Sequence, residues 1–387
     1  MSNVVDSQRV VSFIRDLYKE QDFIPLHAPI FKGNEAQYVN DTLASTFVSS
    51  VGAYVDKFEG AIKKYTNAKG AVATVNGTAA LHTALHLAGV SSSDYVITQA
   101  LTFVATANAI NQVGAIPLFV DVCEQTLGLC PISLETYLDE DTFLNEGGEC
   151  IDKKSGKRVK AILPMHTFGH PCDLDALIMI AKKHNLVVIE DAAESLGSFY
   201  KGRHTGTFGD YAAISFNGNK IITTGSGGMV LTRSLEDEKK GRHITTTAKT
   251  PHPYEYVHDQ VGFNYRLANL NAALGCAQME KLELLLKSKR EIASAYKHFF
   301  VDTDYQFVAE PKNCRSNYWL NAIICPDEKS RQQMLEFTNN GNVMTRPVWT
   351  LINELPMYAD APCANDLPIS QFLSKRLLNL PSSAIVE

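Results

Sequence analysis

Between about residue 70 and residue 232, short runs of apolar and β-branched residues alternate with segments whose Ala and Leu recur at helical spacing. Residues 71–75 read as a buried strand, and 78–89 continue as a helix rich in Ala and Leu. A strand over 95–98, a helix over 105–113 and strands over 116–120 and 158–165 follow. Residues 174–184 read as a helix leading into a strand at 186–190, and strands at 211–216 and 228–232 complete the series. Strands separated by helices of about ten residues require crossover connections, so the sheet is expected to be largely parallel with both faces covered. The fold class is α/β.

Two segments break the alternation. Residues 139–156 are polar and carry Gly147-Gly148 and Lys153-Lys154-Ser155-Gly156, the marks of a surface insertion with hairpin character. In residues 269–296, Leu270, Leu274, Met279, Leu282 and Leu286 recur at near-helical spacing, which predicts one long packed helix. A boundary near residue 245 divides the chain into a large domain, 1–245, and a small one, 246–387. The first 25 residues are expected to pack on the small domain.

Composition narrows the function classes without choosing one. A chain of 387 residues buries a large core unaided. Lys plus Arg is 36 and Asp plus Glu is 42, so the net charge is 36 − 42 = −6, which argues against bulk nucleic-acid binding. No apolar run reaches the roughly 18–20 residues of a spanning helix. The opening Met-Ser-Asn-Val-Val-Asp-Ser-Gln lacks a basic region followed by an apolar stretch, so no signal peptide is expected. The eight cysteines form no C-x-x-C pair and no zinc-type cluster, which points to reduced thiols, no metal site and a cytoplasmic protein.

Three places carry candidate chemistry. The apolar run Val188-Ile189 ends in Glu190-Asp191, and ligands of open α/β sheets bind beyond the carboxyl ends of parallel strands. Lys220 follows the strand ending near Phe216 and precedes Gly225, Gly227 and Gly228, where backbone can approach a ligand closely. A desolvated lysine amine can form a Schiff base with an aldehyde. Val75-Asn76-Gly77-Thr78-Ala79 is a strand turning into a helix with small first residues, an anion site in the making. Taken singly, each has a plain structural explanation: a helix cap at Asp191, a surface lysine, a turn capped by Thr78.

Together they are what pyridoxal 5′-phosphate (PLP) requires: a phosphate site, a Schiff-base lysine and a carboxylate for the ring nitrogen. Ser215 can add a hydroxyl to the phosphate, and Phe103 can stack on the ring.

At this point the chain resembles the DegT/DnrJ/StrS sugar aminotransferases, which have the aspartate aminotransferase-like fold (fold type I). The resemblance runs from about Pro25 to Pro381. Its motifs occur in order: Phe58-Glu59, Asn76-Gly77-Thr78-Ala79-Ala80-Leu81, Thr102-Phe103-Val104-Ala105-Thr106, His166-Thr167-Phe168-Gly169, Glu190-Asp191-Ala192-Ala193-Glu194, Asn219-Lys220 and Gly262-Phe263-Asn264-Tyr265-Arg266. The resemblance implies that Lys220 holds the cofactor and then moves protons, and that Asp191 contacts the ring nitrogen. It implies that Gly77, Thr78, Ala79 and Ser215 hold the phosphate. Glu194 falls where the family places Gln or His beside the phenolic oxygen; a carboxylate there repels a phenolate unless one of them is protonated. Asn264 would reach the neighbouring subunit's phosphate, which implies a homodimer with shared active sites. After the lysine the chain also departs from the family's usual glutamate, with Ser226 in its place.

A closer resemblance is to the branch that aminates C4 of nucleotide-linked 4-keto-6-deoxy-N-acetylhexosamines, with L-glutamate as donor, on routes to bacterial surface sugars of legionaminic acid or bacillosamine type. The supporting stretches include Phe47-Val48-Ser49-Ser50-Val51-Gly52, His166-Thr167-Phe168-Gly169-His170-Pro171 and Asn317-Tyr318-Trp319-Leu320-Asn321. Ser49, His166, Tyr318 and Arg346 are the substrate contacts expected from it. Two alternatives stand beside this reading: another reaction on the same scaffold, such as dehydration, or a non-catalytic sensor. Members that dehydrate carry His at the lysine position, so the intact Lys220 favours transamination.

Overall fold

The structure, a computed structural model, describes residues 7–386; residues 1–6 of the expected N-terminal packing segment lie outside it. Twelve helices are described: α1 Ser7–Tyr18, α2 Glu35–Ser45, α3 Ala53–Thr66, α4 Gly77–Leu87, α5 Val104–Gln112, α6 Pro131–Asp141, α7 Leu174–Lys183, α8 Leu235–Thr245, α9 Asn269–Met279, α10 Leu282–Phe300, α11 Glu328–Asn340 and α12 Pro368–Ser374. The strands of the first half are β1 Gly70–Thr74, β2 Tyr95–Gln99, β3 Ile116–Val120, β4 Thr142–Leu144, β5 Cys150–Asp152, β6 Arg158–Ile162, β7 Val187–Asp191, β8 Phe199–Tyr200, β9 Arg203–His204, β10 Tyr211–Ser215 and β11 Gly228–Thr232. Those of the second half are β12 Gln306–Phe307, β13 Cys314–Arg315, β14 Asn321–Ile324, β15 Arg346–Pro347 and β16 Leu377–Leu380.

The large sheet runs β1-β11-β10-β7-β6-β2-β3. From β10 to β3 every pairing is parallel, as the alternating pattern requires. β11 is antiparallel to both β10 and β1, because the glycine-bearing segment 216–227 turns the chain straight back. β1, β2 and β11 are buried along their whole length, and β7 and β10 at all but their first residue, which explains their apolar runs. β6 stops at Ile162, short of the expected 158–165, ahead of Pro164, which has no amide to donate.

The polar insertion is a hairpin, β4 against β5, and β5 also pairs with β6, so it widens the sheet as well as decorating the surface. The single helix expected over 269–296 is instead two helices. Gln278 at the end of α9 is pinned to Ile30 O at 2.9 Å and to Glu35 at 2.7 Å, and the chain turns at Glu280-Lys281 before α10 begins. α9 lies on α2 and α3, whereas α10 runs to the second sheet.

That second sheet is antiparallel, in the order β12-β14-β16-β15. α1 buries Val10 and Ile14 in the core that this sheet shares with Tyr296 and Phe300 of α10. The largest apolar core is continuous across the halves, joining Phe58 and Phe216 to Leu286, Trp319 and Leu377.

Candidate functional site

The carboxyl ends of β7 and β10, the first turn of α4 and the segment 216–227 meet around one cavity of about 430 Å³. That volume falls within the usual range for small-molecule sites, about 300–1,000 Å³. Asp191 is the last residue of β7 and is 2% exposed. Its Oδ2 accepts from Thr106 Oγ1 at 2.7 Å and its Oδ1 from the Ala193 amide at 3.1 Å. Burial pushes its pKa up, and these donors together with nearby Lys220 work against that push.

Lys220 sits in a turn whose amide donates to Asn217 O at 3.0 Å. Its Nζ lies 3.5 Å from Glu194 Oε1 and 3.9 Å from the ring centre of Trp319. Desolvation lowers its pKa, which raises the share of neutral amine, the nucleophilic form. Glu194 is more deeply enclosed than the lysine. Its Oε2 accepts the Phe168 amide at 2.9 Å, and burial pushes its pKa up to about 7. A carboxyl group that holds its proton near neutrality removes the repulsion expected against a phenolate.

The start of α4 forms the opposite wall. Asn76, not Thr78, is its cap: the Asn76 Oδ1 accepts from Ala79 N at 2.7 Å. The Ala79 amide is therefore committed to the cap, which leaves it out of the expected phosphate cradle. Gly77 and Thr78 line the cavity, and their amides, as first-turn groups, have no acceptor within the helix. A Cβ at Gly77 would stand 2.9 Å from Ser215 Cβ, so only glycine lets the cradle approach that serine. Ser215 and Ser226 both face the cavity, and the Ser226 hydroxyl donates to Val75 O at 2.7 Å. Phe103 stands at the mouth, 49% exposed, edge-on to Trp349.

The expected substrate contacts do not gather here. His166 is fully buried on the far side of the strand ends, its Nε2 3.0 Å from Glu190 and its Nδ1 accepting the Cys172 amide at 3.2 Å. Its neighbour Met165 faces the cavity instead. Tyr318 is buried against Phe307 and accepts the Glu310 amide at 3.0 Å, while the next residue, Trp319, lines the site. Arg346 is an exposed residue of β15 outside the lining, and Trp349, three residues on, takes that place. Ser49 is exposed, and its carbonyl accepts the Asn269 amide at 2.6 Å. Asn264 is exposed beside Thr246 and does not face its own chain's cavity. Thr106, Trp319 and Trp349 are site residues that the sequence reading left unassigned, although the first two lie in motifs it quoted.

The residues present fit PLP. First-turn amides and a serine hydroxyl suit a phosphate, a buried carboxylate suits a ring nitrogen, and an amine of lowered basicity stands between them. When bound, PLP supplies an aldehyde that condenses with amines and a ring that takes up electron density.

The comparisons agree with this chemistry. Residues 29–387 match the DegT/DnrJ/EryC1/StrS aminotransferase family. The GDP-perosamine synthase of Escherichia coli O157:H7 is 38% identical over 360 residues, covering 93% of each chain. A DegT DnrJ EryC1 StrS aminotransferase structure from Brucella abortus superposes with a TM-score of 0.81 at 26% identity, covering 90% of each chain. Spr1654 from Streptococcus pneumoniae in its PLP form shares the fold, with a TM-score of 0.84 at 22% identity over 94% of this chain and 95% of that one. The chain therefore belongs to the DegT/DnrJ/EryC1/StrS family and is a PLP-dependent sugar aminotransferase of fold type I.

Proposed function

We propose that the enzyme moves the amino group of L-glutamate to C4 of a nucleotide-linked 4-keto-6-deoxy-N-acetylhexosamine, for a bacterial surface glycan. The observation that carries the reading is the convergence of Lys220, Asp191 and the first turn of α4 on one cavity. Lys220 anchors the cofactor. Displaced by the donor amine, its Nζ takes the α-proton of glutamate, and in the second half-reaction it delivers a proton to the sugar's C4. Asp191 holds a proton on the ring nitrogen, with Thr106 orienting its carboxylate. Gly77, Thr78 and Ser215 bind the phosphate, Phe103 packs on the ring, and Glu194 stands beside the phenolic oxygen.

A homodimer completes this reading, with Asn264 reaching the partner's phosphate. Exposed apolar side chains support a subunit contact on this face: Val261 is 80% exposed, and Tyr254 and Tyr256 stand free of the chain's own core. We place the reaction in the cytoplasm as part of the same reading. No described helix is long and apolar enough to cross a membrane.

One finding favours a second substrate. The 38% identical relative is named for GDP-perosamine, a 4-amino-4,6-dideoxy sugar without an N-acetyl group. Visible absorption separates the readings. L-glutamate should convert the cofactor band to that of the amine form, and the accepted keto sugar nucleotide should restore it. Restoration by a UDP-linked N-acetyl 4-keto sugar alone supports the first reading. Restoration by the GDP-linked 4-keto-6-deoxyhexose alone replaces it with the second, and a band that ignores glutamate removes both.

A further inference from the structure

Lys220 is held on two sides by groups that share a tether. On one side stands Glu194 Oε1 at 3.5 Å; on the other, the face of Trp319 at 3.9 Å. The indole Nε1 of Trp319 donates to Asn219 O at 2.6 Å, so one side chain touches both the lysine's head and the main chain just before it. Trp319 is itself fixed at both ends of its backbone. Its amide donates to Asn317 Oδ1 at 2.8 Å, and its carbonyl accepts from Lys289 Nζ at 3.1 Å. Lys289 is 1% exposed, and its other acceptor is Ser382 O. The Asn317 amide group donates in turn to Glu194 O at 2.8 Å and to Leu196 O at 2.9 Å. Asn317 thus ties both neighbours of the lysine into one frame.

We propose that Trp319 is a positioning residue for the Lys220 amine: its face holds the amine in the cavity whenever the lysine is free, and its N–H fixes the turn that carries it. The proposal rests on Lys220 being the cofactor lysine. A free lysine that swings out of the cavity cannot return a proton to the reacting carbon, and a flat aromatic face attracts an ammonium without forming a bond that must later break. The charged and titratable groups that share this space are Glu194, Asp191 and His27, the last lowered by burial and by Lys289 and Lys220.

The test reads the amine itself. Cofactor-free protein is labelled with acetic anhydride over a range of pH, and the peptide carrying Lys220 is quantified by mass spectrometry. Trp319→Leu removes the attraction for the ammonium, so the labelling pKa of Lys220 should fall by about one pH unit. Trp319→Phe keeps a ring face and should stay closer to wild type in pKa. It loses the bond to Asn219, however, and should label severalfold faster where the amine is neutral. A side chain that merely fills the core would change thermal stability and leave both readings alone. Unchanged labelling pKa in a folded Trp319→Leu protein overturns the proposal. Should that variant not fold, unchanged labelling rate in Trp319→Phe overturns it. Because no cofactor is present, a protein that failed to attach PLP at Lys220 would still report the indole's effect, so the two failures are distinguishable.

Discussion

Glu194 divides its carboxyl group between two partners: Oε1 lies 3.5 Å from Lys220 Nζ, and Oε2 accepts the Phe168 amide at 2.9 Å. Burial works on both members of the pair in the same sense, raising the acid and lowering the amine. Each shift favours the neutral form of its group, so the gap in proton affinity between the two narrows, which eases the passage of a proton to and from the amine.

That arrangement predicts a pH dependence of folding. Glu194 has a folded pKa of about 7 against an ordinary 4.5. Between those values the folded protein binds more protons than the unfolded chain, so stability falls as pH rises through the window and levels off above it. Glu194→Gln removes the titration, and at pH 8 the cofactor-free variant should be more stable than wild type by at most about 3 kcal/mol. Urea unfolding between pH 4.5 and pH 8 measures this. Parallel stability curves for the two proteins would contradict it.

Asp191 and Thr106 should separate in size of effect. In the proposed reaction Asp191 keeps the ring nitrogen protonated, so replacing it with Asn should lower kcat by about 10²–10³. Thr106→Val leaves the carboxylate in place and removes the 2.7 Å donor, together with the 2.8 Å bond between the Thr106 and Thr102 hydroxyls, for a loss of about tenfold. Single-turnover rates with L-glutamate give both numbers, and equal losses would mean that Thr106 does more than orient.

How much of this was legible beforehand depended on whether a role belongs to the backbone or to a side chain's direction. The strand ends and tight turns that place Asp191, Lys220 and Gly77 follow from apolar runs and small residues, and those positions converge as expected. The side chains next to them are another matter. Met165 and His166, like Tyr318 and Trp319, are neighbours that face opposite ways, so a motif naming both cannot say which meets the ligand. Arg346 carries the right charge but lies on the exposed side of β15, and Trp349 fills the wall through a fold of the chain that no local pattern encodes. The break between α9 and α10 was hidden for the same reason. Its cause is Gln278 meeting Ile30 and Glu35, which lie far away in sequence.

His166 gives that distinction a kinetic form. It spans Glu190 and the Cys172 amide, and Glu190 also collects the amides of Gly206, Phe208 and Gly209. His166→Gln should therefore cost about 1–3 kcal/mol of stability while leaving the KM for the sugar nucleotide near wild type. A large rise in KM without loss of stability would restore His166 to the list of substrate contacts.

The final prediction concerns a residue outside the cavity. Glu59 of α3 is 3% exposed and accepts from Arg266 and Arg242, each at 2.6 Å, and from the Ala73 amide at 2.7 Å. It thus joins α3 to the end of β1, which leads directly into Asn76-Gly77, and to the segment that carries Asn264. Arg266 is nearly as buried, and removing its counter-charge leaves a guanidinium enclosed without a carboxylate, a loss of about 3–5 kcal/mol. Glu59→Gln should lower the Tm and, because both β1 and the 264–266 strip shift with it, weaken PLP binding in equilibrium dialysis. Excess PLP should then recover part of the lost Tm by mass action, since only the folded protein binds it. If Tm fell but PLP affinity stayed at the wild-type value, Glu59 would support the core alone, and the first turn of α4 would take its position from the sheet without help from α3.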